Sequence, residues 1–323
     1  MIASWLRRRD ALLVGTLVVA CAPDRERTAG APAETGVRHG MLIGADSLAA
    51  RLRQTGAPVV VHVARTRAEF DSAHIPGARF LDLSDIVIER DGLPNELPPR
   101  ATLDSVLGAA GVSNDAGVVV YGEPLAAARA YFTLDVLGHG GRIALLDGGI
   151  AAWRAGAHEV SSAGEHADHG PPATPAGFSS SVAEARLADA EWIEARRGGG
   201  AVALIDARPP EEFSGEMPGE GVKRPGHIPG ARNLFWKRLI RSDSLPMLLD
   251  TAALRSRFAA AGAEPGDTVV TYCRTGMQAS YAYFVARYMG YEAKMYDGSF
   301  LDWERVPTRP VEAGPDAPRS EER

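Results

Sequence analysis

The sequence predicts an α/β protein of two tandem domains, each a mainly parallel sheet with helices on both faces. Three observations carry this. His74-Ile75-Pro76-Gly77-Ala78-Arg79 recurs as His227-Ile228-Pro229-Gly230-Ala231-Arg232. Val118-Val119-Val120-Tyr121 recurs as Val269-Val270-Thr271-Tyr272. Short β-branched runs alternate with helical segments, the mark of a parallel sheet covered on both faces. The 323 residues suffice for two ordinary domains. A hydrophobic content of 45% and a charged content of 24% are those of a globular protein. The net charge of −6 leaves no global basic surface, so no nucleic-acid partner is expected.

Residues 1–22 read as an export signal. Arg7-Arg8-Arg9 precede the apolar run Ala11 to Ala20, and Val18-Val19-Ala20-Cys21 follows. This run is too short to cross a hydrocarbon core of about 30 Å as a helix. The Val-Val-Ala-Cys stretch resembles a bacterial lipobox, which would make Cys21 a lipidated first residue. Ala20-Cys21-Ala22 also fits a plain small-x-small cleavage site. The lipoprotein reading is favoured because cysteine is otherwise scarce: of two in the chain, one lies in the signal. Arg8-Arg9 also fits a loose twin-arginine pattern, so either export route is open. The expectation is an exported, periplasmic protein that meets the membrane through a lipid anchor only. Its one remaining thiol suits an exposed, reactive cysteine in an oxidising compartment.

Residues 23–38 read as a tether. The first domain, 39–160, opens with a helix over Ser47 to Gln54, capped by Asp46 or Ser47. Val59 to Val63 is a buried strand. Thr102 to Ala110 is a helix, Val118 to Tyr121 a strand, Ala126 to Leu137 a helix and Ile143 to Leu146 a strand. The Asp147-Gly148-Gly149 turn leads to a short helix through Trp153. Residues 161–177 are rich in Ser, Ala, Gly, His and Pro and form the linker. His158, His166, Asp168 and His169 match no standard ligand spacing, so no metal is expected.

The second domain, 178–311, repeats the order. Asp189 to Arg197 is a helix, Val202 to Ile205 a strand, Thr251 to Ala261 a helix and Val269 to Tyr272 a strand. Ala279 to Met289 is a helix, Ala293 to Tyr296 a strand, and Asp297-Gly298-Ser299 a turn before Trp303. Residues 312–323 form a polar tail.

The two copies part after the shared strand. The second continues with Cys273-Arg274-Thr275-Gly276-Met277-Gln278, the first with Gly122-Glu123-Pro124. Parallel sheets place ligand sites at the carboxyl ends of strands, where Cys273 falls. The backbone N–H groups of the loop can form an anion-binding nest. Gly276 permits the turn, and the next helix presents its positive end. Arg274 adds a charge beside the thiol. Each effect favours the thiolate, and such surroundings lower a cysteine pKa from about 8.5 to about 3.5–7.5.

On these residues the chain resembles the two-domain rhodaneses, the thiosulfate and 3-mercaptopyruvate sulfurtransferase family. The repeated His-Ile-Pro-Gly-Ala-Arg, Asp206-Ala207-Arg208 with Glu212-Phe213, the cysteine loop, and Asp147-Gly148-Gly149 and Asp297-Gly298 with Trp153 and Trp303 carry the resemblance, from His39 to Pro310. It implies ping-pong sulfur transfer without a cofactor. The Cys273 thiolate takes the outer sulfur of a small anionic donor, and the persulfide passes it to cyanide, a thiol or a thioredoxin-like protein. It implies that Arg274, Thr275, Gly276, Met277 and Gln278 bind substrate or shape the loop. Asp206, Arg208 and Arg232 support it, with a purely structural role as their alternative.

Arg274 tilts the donor toward thiosulfate, since mercaptopyruvate-type members commonly carry Gly there. Thr275 stands where thiosulfate enzymes often have a second cation, and Glu212 where some members carry a substrate-binding Arg. The insert Ser214 to Pro225, with Lys223 and Arg224, reads either as a rim that attracts anions or as a solvated loop. Trp236 reads as core. His74 and His227 read as scaffold because they survive in both halves. The first domain is expected to be catalytically empty and to wall the pocket. A non-catalytic sulfur carrier or binding module is the alternative, and a cysteine phosphatase a further one. A phosphatase needs an Arg where this chain has Ala279.

Overall fold

The structure is a computed structural model that describes residues 36–162 and 176–316. Cys21 and the signal, His166, Asp168 and His169 of the linker, and the end of the tail lie outside the described residues. In chain order the first domain holds β1 (Leu42–Ile43), α1 (Ala45–Leu52), β2 (Val59–Ala64), α2 (Arg67–Ser72) and β3 (Arg79–Asp82). The hairpin β4 (Ile88–Arg90) and β5 (Leu93–Glu96) follows, then α3 (Arg100–Ala109), β6 (Val118–Gly122), α4 (Pro124–Val136), β7 (Ile143–Leu146) and α5 (Gly149–Ala155). The second domain holds β8 (Leu187–Ala188), α6 (Ala190–Glu194), β9 (Val202–Asp206), α7 (Pro210–Ser214) and β10 (Arg232–Asn233). It closes with α8 (Thr251–Ala260), β11 (Thr268–Tyr272), α9 (Met277–Tyr288), β12 (Glu292–Tyr296) and α10 (Ser299–Glu304).

The duplication extends to topology. The sheets run β1-β7-β6-β2-β3 and β8-β12-β11-β9-β10, the same order, with every pairing parallel. Successive residues alternate faces. Val118 and Val120 point into one core with α3 and α4, while Val119 and Tyr121 point into another with α1, α2 and α5. In the second sheet Val269 joins the first core, and Val270 and Tyr272 pack with α7 and α10. One core therefore runs through both domains. Its centre is the contact of α4 with α9, which are buried over nearly their whole lengths. Tyr131 meets Phe284 edge-on at 4.9 Å, and Phe132 meets Tyr283 at 5.2 Å. Asp135 of α4 accepts hydrogen bonds from the Tyr283 hydroxyl at 2.6 Å and Arg287 Nε at 3.1 Å.

The repeated histidine motif does the same work twice. His74 Nδ1 bonds the Phe70 carbonyl at 2.9 Å, and His227 Nδ1 bonds that of Phe213 at 2.9 Å. Each imidazole stacks on that phenyl ring. The next N–H, of Ile75 or Ile228, donates to Tyr121 or Tyr272 at 2.9 and 3.2 Å. The backbones of His74 and His227 bridge Ser161 and Glu312, where the chain leaves each domain. The expected linker and tail are thus docked at their first residues. Ala176 N also donates to Gly108 O at 3.0 Å, and Arg38 N, at the end of the expected tether, to Tyr288 O at 2.8 Å.

Several boundaries move. α1 starts at Ala45 behind Gly44, with no side-chain cap, because Asp46 sits in its first turn and faces His158 at 2.8 Å. α6 stops at Glu194, although Asp189 does cap it. α9 begins at Met277, so Met277 and Gln278 are helical rather than loop residues.

Candidate active site

β11 and α9 are joined by Cys273, Arg274, Thr275 and Gly276. Gly276 adopts φ +84°, and a Cβ there would stand 2.8 Å from Asp297 Oδ1 and 3.1 Å from Arg129 Nη1. Conformation and space both require glycine. The loop is tied down by Ser299. Its Oγ accepts from Cys273 N at 3.2 Å and Gly276 N at 3.1 Å, and donates to Tyr296 O at 2.8 Å. Phe300 N and Leu301 N donate to the carbonyls of Cys273 and Arg274 at 3.0 and 3.2 Å.

The first domain braces the loop from the other side. Asn95 Nδ2 donates to Thr275 Oγ1 at 2.9 Å. Leu97 N donates to Asp297 Oδ2 at 3.0 Å. Arg129, fully buried in α4, forks onto Asp297 and also donates to the Asn95 carbonyl. The second domain returns the contact: Leu248 N donates to Asp147 Oδ1 at 2.8 Å, with Asp147 the counterpart of Asp297. Sequence reading missed Arg129, Asn95 and Ser299 as site residues. A signal for Ser299 was available, since comparing the two halves at Asp-Gly-Ser and Asp-Gly-Gly sets Ser299 apart as it does Cys273. Ser299 has φ +54° and its twin Gly149 φ +55°, so the serine keeps a glycine conformation.

Cys273 is 1% exposed, which corrects the expectation of an exposed thiol. Its pKa is also not depressed. Burial pushes the thiol up, and the nearby Asp206 carboxylate adds to this. The backbone N–H groups of Ala279, Thr275 and Gln278 act in the opposite direction without offsetting the burial. The expected nest therefore exists, but desolvation outweighs it. Arg274, expected to add a charge beside the thiol, is paired with a carboxylate. Its Nη1 lies 3.7 Å from Glu212 Oε1.

Asp206 and Arg208 form a fully buried pair, with Arg208 Nε 3.0 Å from both carboxylate oxygens. The Arg208 guanidinium lies over Phe300 at 4.2 Å, under the helix that caps the loop. Arg232 is tied to Asp316, in the expected tail, at 2.8 Å. Met277 is buried in the shared core, and Trp236 packs on Tyr281 at 5.4 Å. Arg224 does not serve as an anion rim, because its guanidinium donates to the carbonyls of Glu304, Arg309 and Val306 at 2.7–2.8 Å. Lys223 lines a cavity of about 380 Å³ with Gly92 and Leu93 of the β4–β5 hairpin and Leu301.

The first domain's loop is closed. Gly122 takes the place of Cys273 with φ +156°, and a Cβ there would stand 2.0 Å from Val63 O. Glu123 caps α4 by accepting from Ala126 N at 3.2 Å.

A model of the rhodanese-like domain matches residues 45–156 and 189–306. A protein named thiosulfate sulfurtransferase from Pseudomonas aeruginosa is 32% identical over 285 residues, 84% of this chain and 97% of that protein. One of the same name from Azotobacter vinelandii is 33% identical over 277 residues, covering 84% and 97%. A probable 3-mercaptopyruvate sulfurtransferase from Pseudomonas aeruginosa is 35% identical over 254 residues, 76% of this chain and 86% of that protein. Among solved structures, Tum1 from Saccharomyces cerevisiae superposes with a TM-score of 0.73 at 21% identity, covering 85% of this chain and 98% of that one. An EanB complex with ergothioneine superposes with a TM-score of 0.76 at 21% identity, covering 87% and 72%. These two likenesses concern the fold.

Proposed function

This chain belongs to the rhodanese family as a two-domain sulfurtransferase, and we propose that it moves sulfane sulfur from thiosulfate through a persulfide on Cys273. The observation that carries the proposal is the cysteine loop, with the N–H groups of Thr275, Gln278 and Ala279 turned toward one buried sulfur. The Cys273 thiolate attacks the outer sulfur of thiosulfate. A new S–S bond forms at Cys273, and the donor's S–S bond breaks with its electron pair leaving on sulfite. The three N–H groups hold the anionic sulfur before and after transfer. A nucleophilic acceptor (cyanide, a thiol or a thioredoxin-like protein) then attacks the outer sulfur and restores the thiolate. Two easier displacements thus replace one hard one. The first domain acts as a brace and a wall, since its own loop has no room for a thiol.

Thiosulfate treatment of the purified protein should add one sulfur atom by intact mass and release sulfite, and Cys273→Ser should do neither. Absence of both events in the unsubstituted protein would overturn the proposal. Steady-state comparison with 3-mercaptopyruvate fixes the donor, and faster turnover of that compound would displace thiosulfate.

Export through residues 1–22 and a lipid anchor on Cys21 are part of the same proposal, supported by the basic, apolar and lipobox-like segments. In a Gram-negative host, Cys21→Ser should move the protein from the membrane to the soluble fraction. Equal fractionation of both forms would remove the anchor.

A further inference from the structure

Besides Arg129, which is paired with Asp297, two cations stand close to the sulfur site, and both are engaged. Arg208 is locked on Asp206 within the core. Arg274, next to the nucleophile in sequence, meets Glu212 instead of open space. The Glu212 side chain is only 17% exposed and its Oε2 is buried with no hydrogen-bond partner among the described residues. A carboxylate in that position is held by charge alone. The insert locks the pair: a Cβ on Gly219 would stand 2.6 Å from Glu212 Oε2, 2.8 Å from Arg274 Cδ and 3.0 Å from Arg274 Nη1. The backbone of the insert therefore lies directly on both side chains. Burial raises the Glu212 pKa, with Arg274 and then Arg208 opposing that rise.

We infer that Glu212 is a specificity-determining residue that silences Arg274, so that the site presents neutral ion pairs and draws an anionic donor through its backbone N–H groups alone. This rests on the sulfur-transfer reading but concerns how charge selects what reaches Cys273. A site with a free arginine at its mouth would favour anions over uncharged reagents. This site does so only weakly, and neutral sulfane-sulfur compounds compete with thiosulfate on nearly equal electrostatic terms.

The test compares alkylation of Cys273 by iodoacetate, an anion, and iodoacetamide, its neutral analogue. The ratio of the two rates cancels changes in thiol pKa and access, and needs no sulfur-transfer activity. Glu212→Gln keeps the shape and removes the charge. It should raise the iodoacetate to iodoacetamide ratio about ten-fold, the effect of one unit charge several ångström away at intermediate dielectric. Arg274→Gln should change the ratio little in the unsubstituted protein and reverse the gain in the Glu212→Gln background. In parallel, Glu212→Gln should lower the thiosulfate KM with kcat unchanged. An unchanged ratio in Glu212→Gln, or a full effect of Arg274→Gln with Glu212 still present, would overturn the inference. Failure of thiosulfate turnover alone would count against the sulfur-transfer reading and leave the alkylation ratio to decide this one.

Discussion

Replacing Arg129 by methionine should cripple a loop that Arg129 does not belong to. The guanidinium is fully buried, and the Asp297 side chain is 12% exposed. Without it, Asp297 keeps the Leu97 N–H, and the Asn95 carbonyl loses a charged donor. Breaking a buried pair by removing one partner costs about 3–5 kcal/mol, and the slight exposure of Asp297 sets the expectation near 3. Part of the cost appears as global stability, read by urea denaturation. The rest appears as displacement, because Asp297 sits within contact distance of the Gly276 position. Misplacing a reacting group by about 1 Å costs about 100-fold in rate. Sulfite release at saturating thiosulfate should show kcat down by that order with KM little changed. Arg129→Lys keeps the charge but not the fork, and should fall between. Asn95→Ala removes the Thr275 contact while leaving the arginine in place, and should lower kcat several-fold with little loss of stability. Full kcat in folded Arg129→Met would refute the brace.

Ser299→Ala leaves the N–H groups of Cys273 and Gly276 without their acceptor, at a cost of about 1–3 kcal/mol for each buried donor left unpaired. Persulfide loading should slow while the fold survives, and loading at the unsubstituted rate would deny Ser299 its part. Glu96, raised to about 7 by burial and then by Asp297, binds a proton in the folded state that the unfolded chain releases near 4.5. Its contribution to stability is complete below that lower value and is lost as pH rises through about 7. Glu96→Gln should therefore gain on the order of 1–2 kcal/mol at about pH 8, after discounting for solvent screening, and nothing at about pH 4. An equal gain at both values would contradict the assignment. Because burial raises the Cys273 thiol, alkylation should still accelerate with pH above the range of an ordinary cysteine. A plateau near neutrality would show a depressed thiol instead.

What sequence revealed was local. Cys273 stands out because a repeated strand makes its absence from the other half visible, and the strand core from Val269 to Tyr272 was legible from β-branched runs. The hairpin β4–β5 was missed although Asp91-Gly92 is a turn signal, because Pro94 breaks the strand pattern after it. Arg129 was hidden for a different reason. It is a lone cation in an alanine-rich helix, and its partner lies 168 positions away. The thiol's environment was misjudged on balance rather than on components: the N–H groups were foreseen, but the extent of burial depends on packing by α10 and the first domain. Adjacency in sequence places Arg274 beside the thiol, but its pairing with Glu212 under the Gly219 backbone depends on contacts that sequence does not display.

The closed loop at Gly122 bears on how such a duplication ages. Between the shared tyrosine and the following helix the first half has two residues, Gly122 and Glu123, where the second has four, Cys273 to Gly276. With the Val63 carbonyl 2.0 Å from any Cβ, a point mutation to cysteine would meet backbone and could not restore a reactive centre. Reactivation would require insertion of chain, a much rarer genetic event than substitution. The short connection and the close Val63 carbonyl together leave no room for a side chain at Gly122. An engineer seeking an active centre there should graft the longer loop whole.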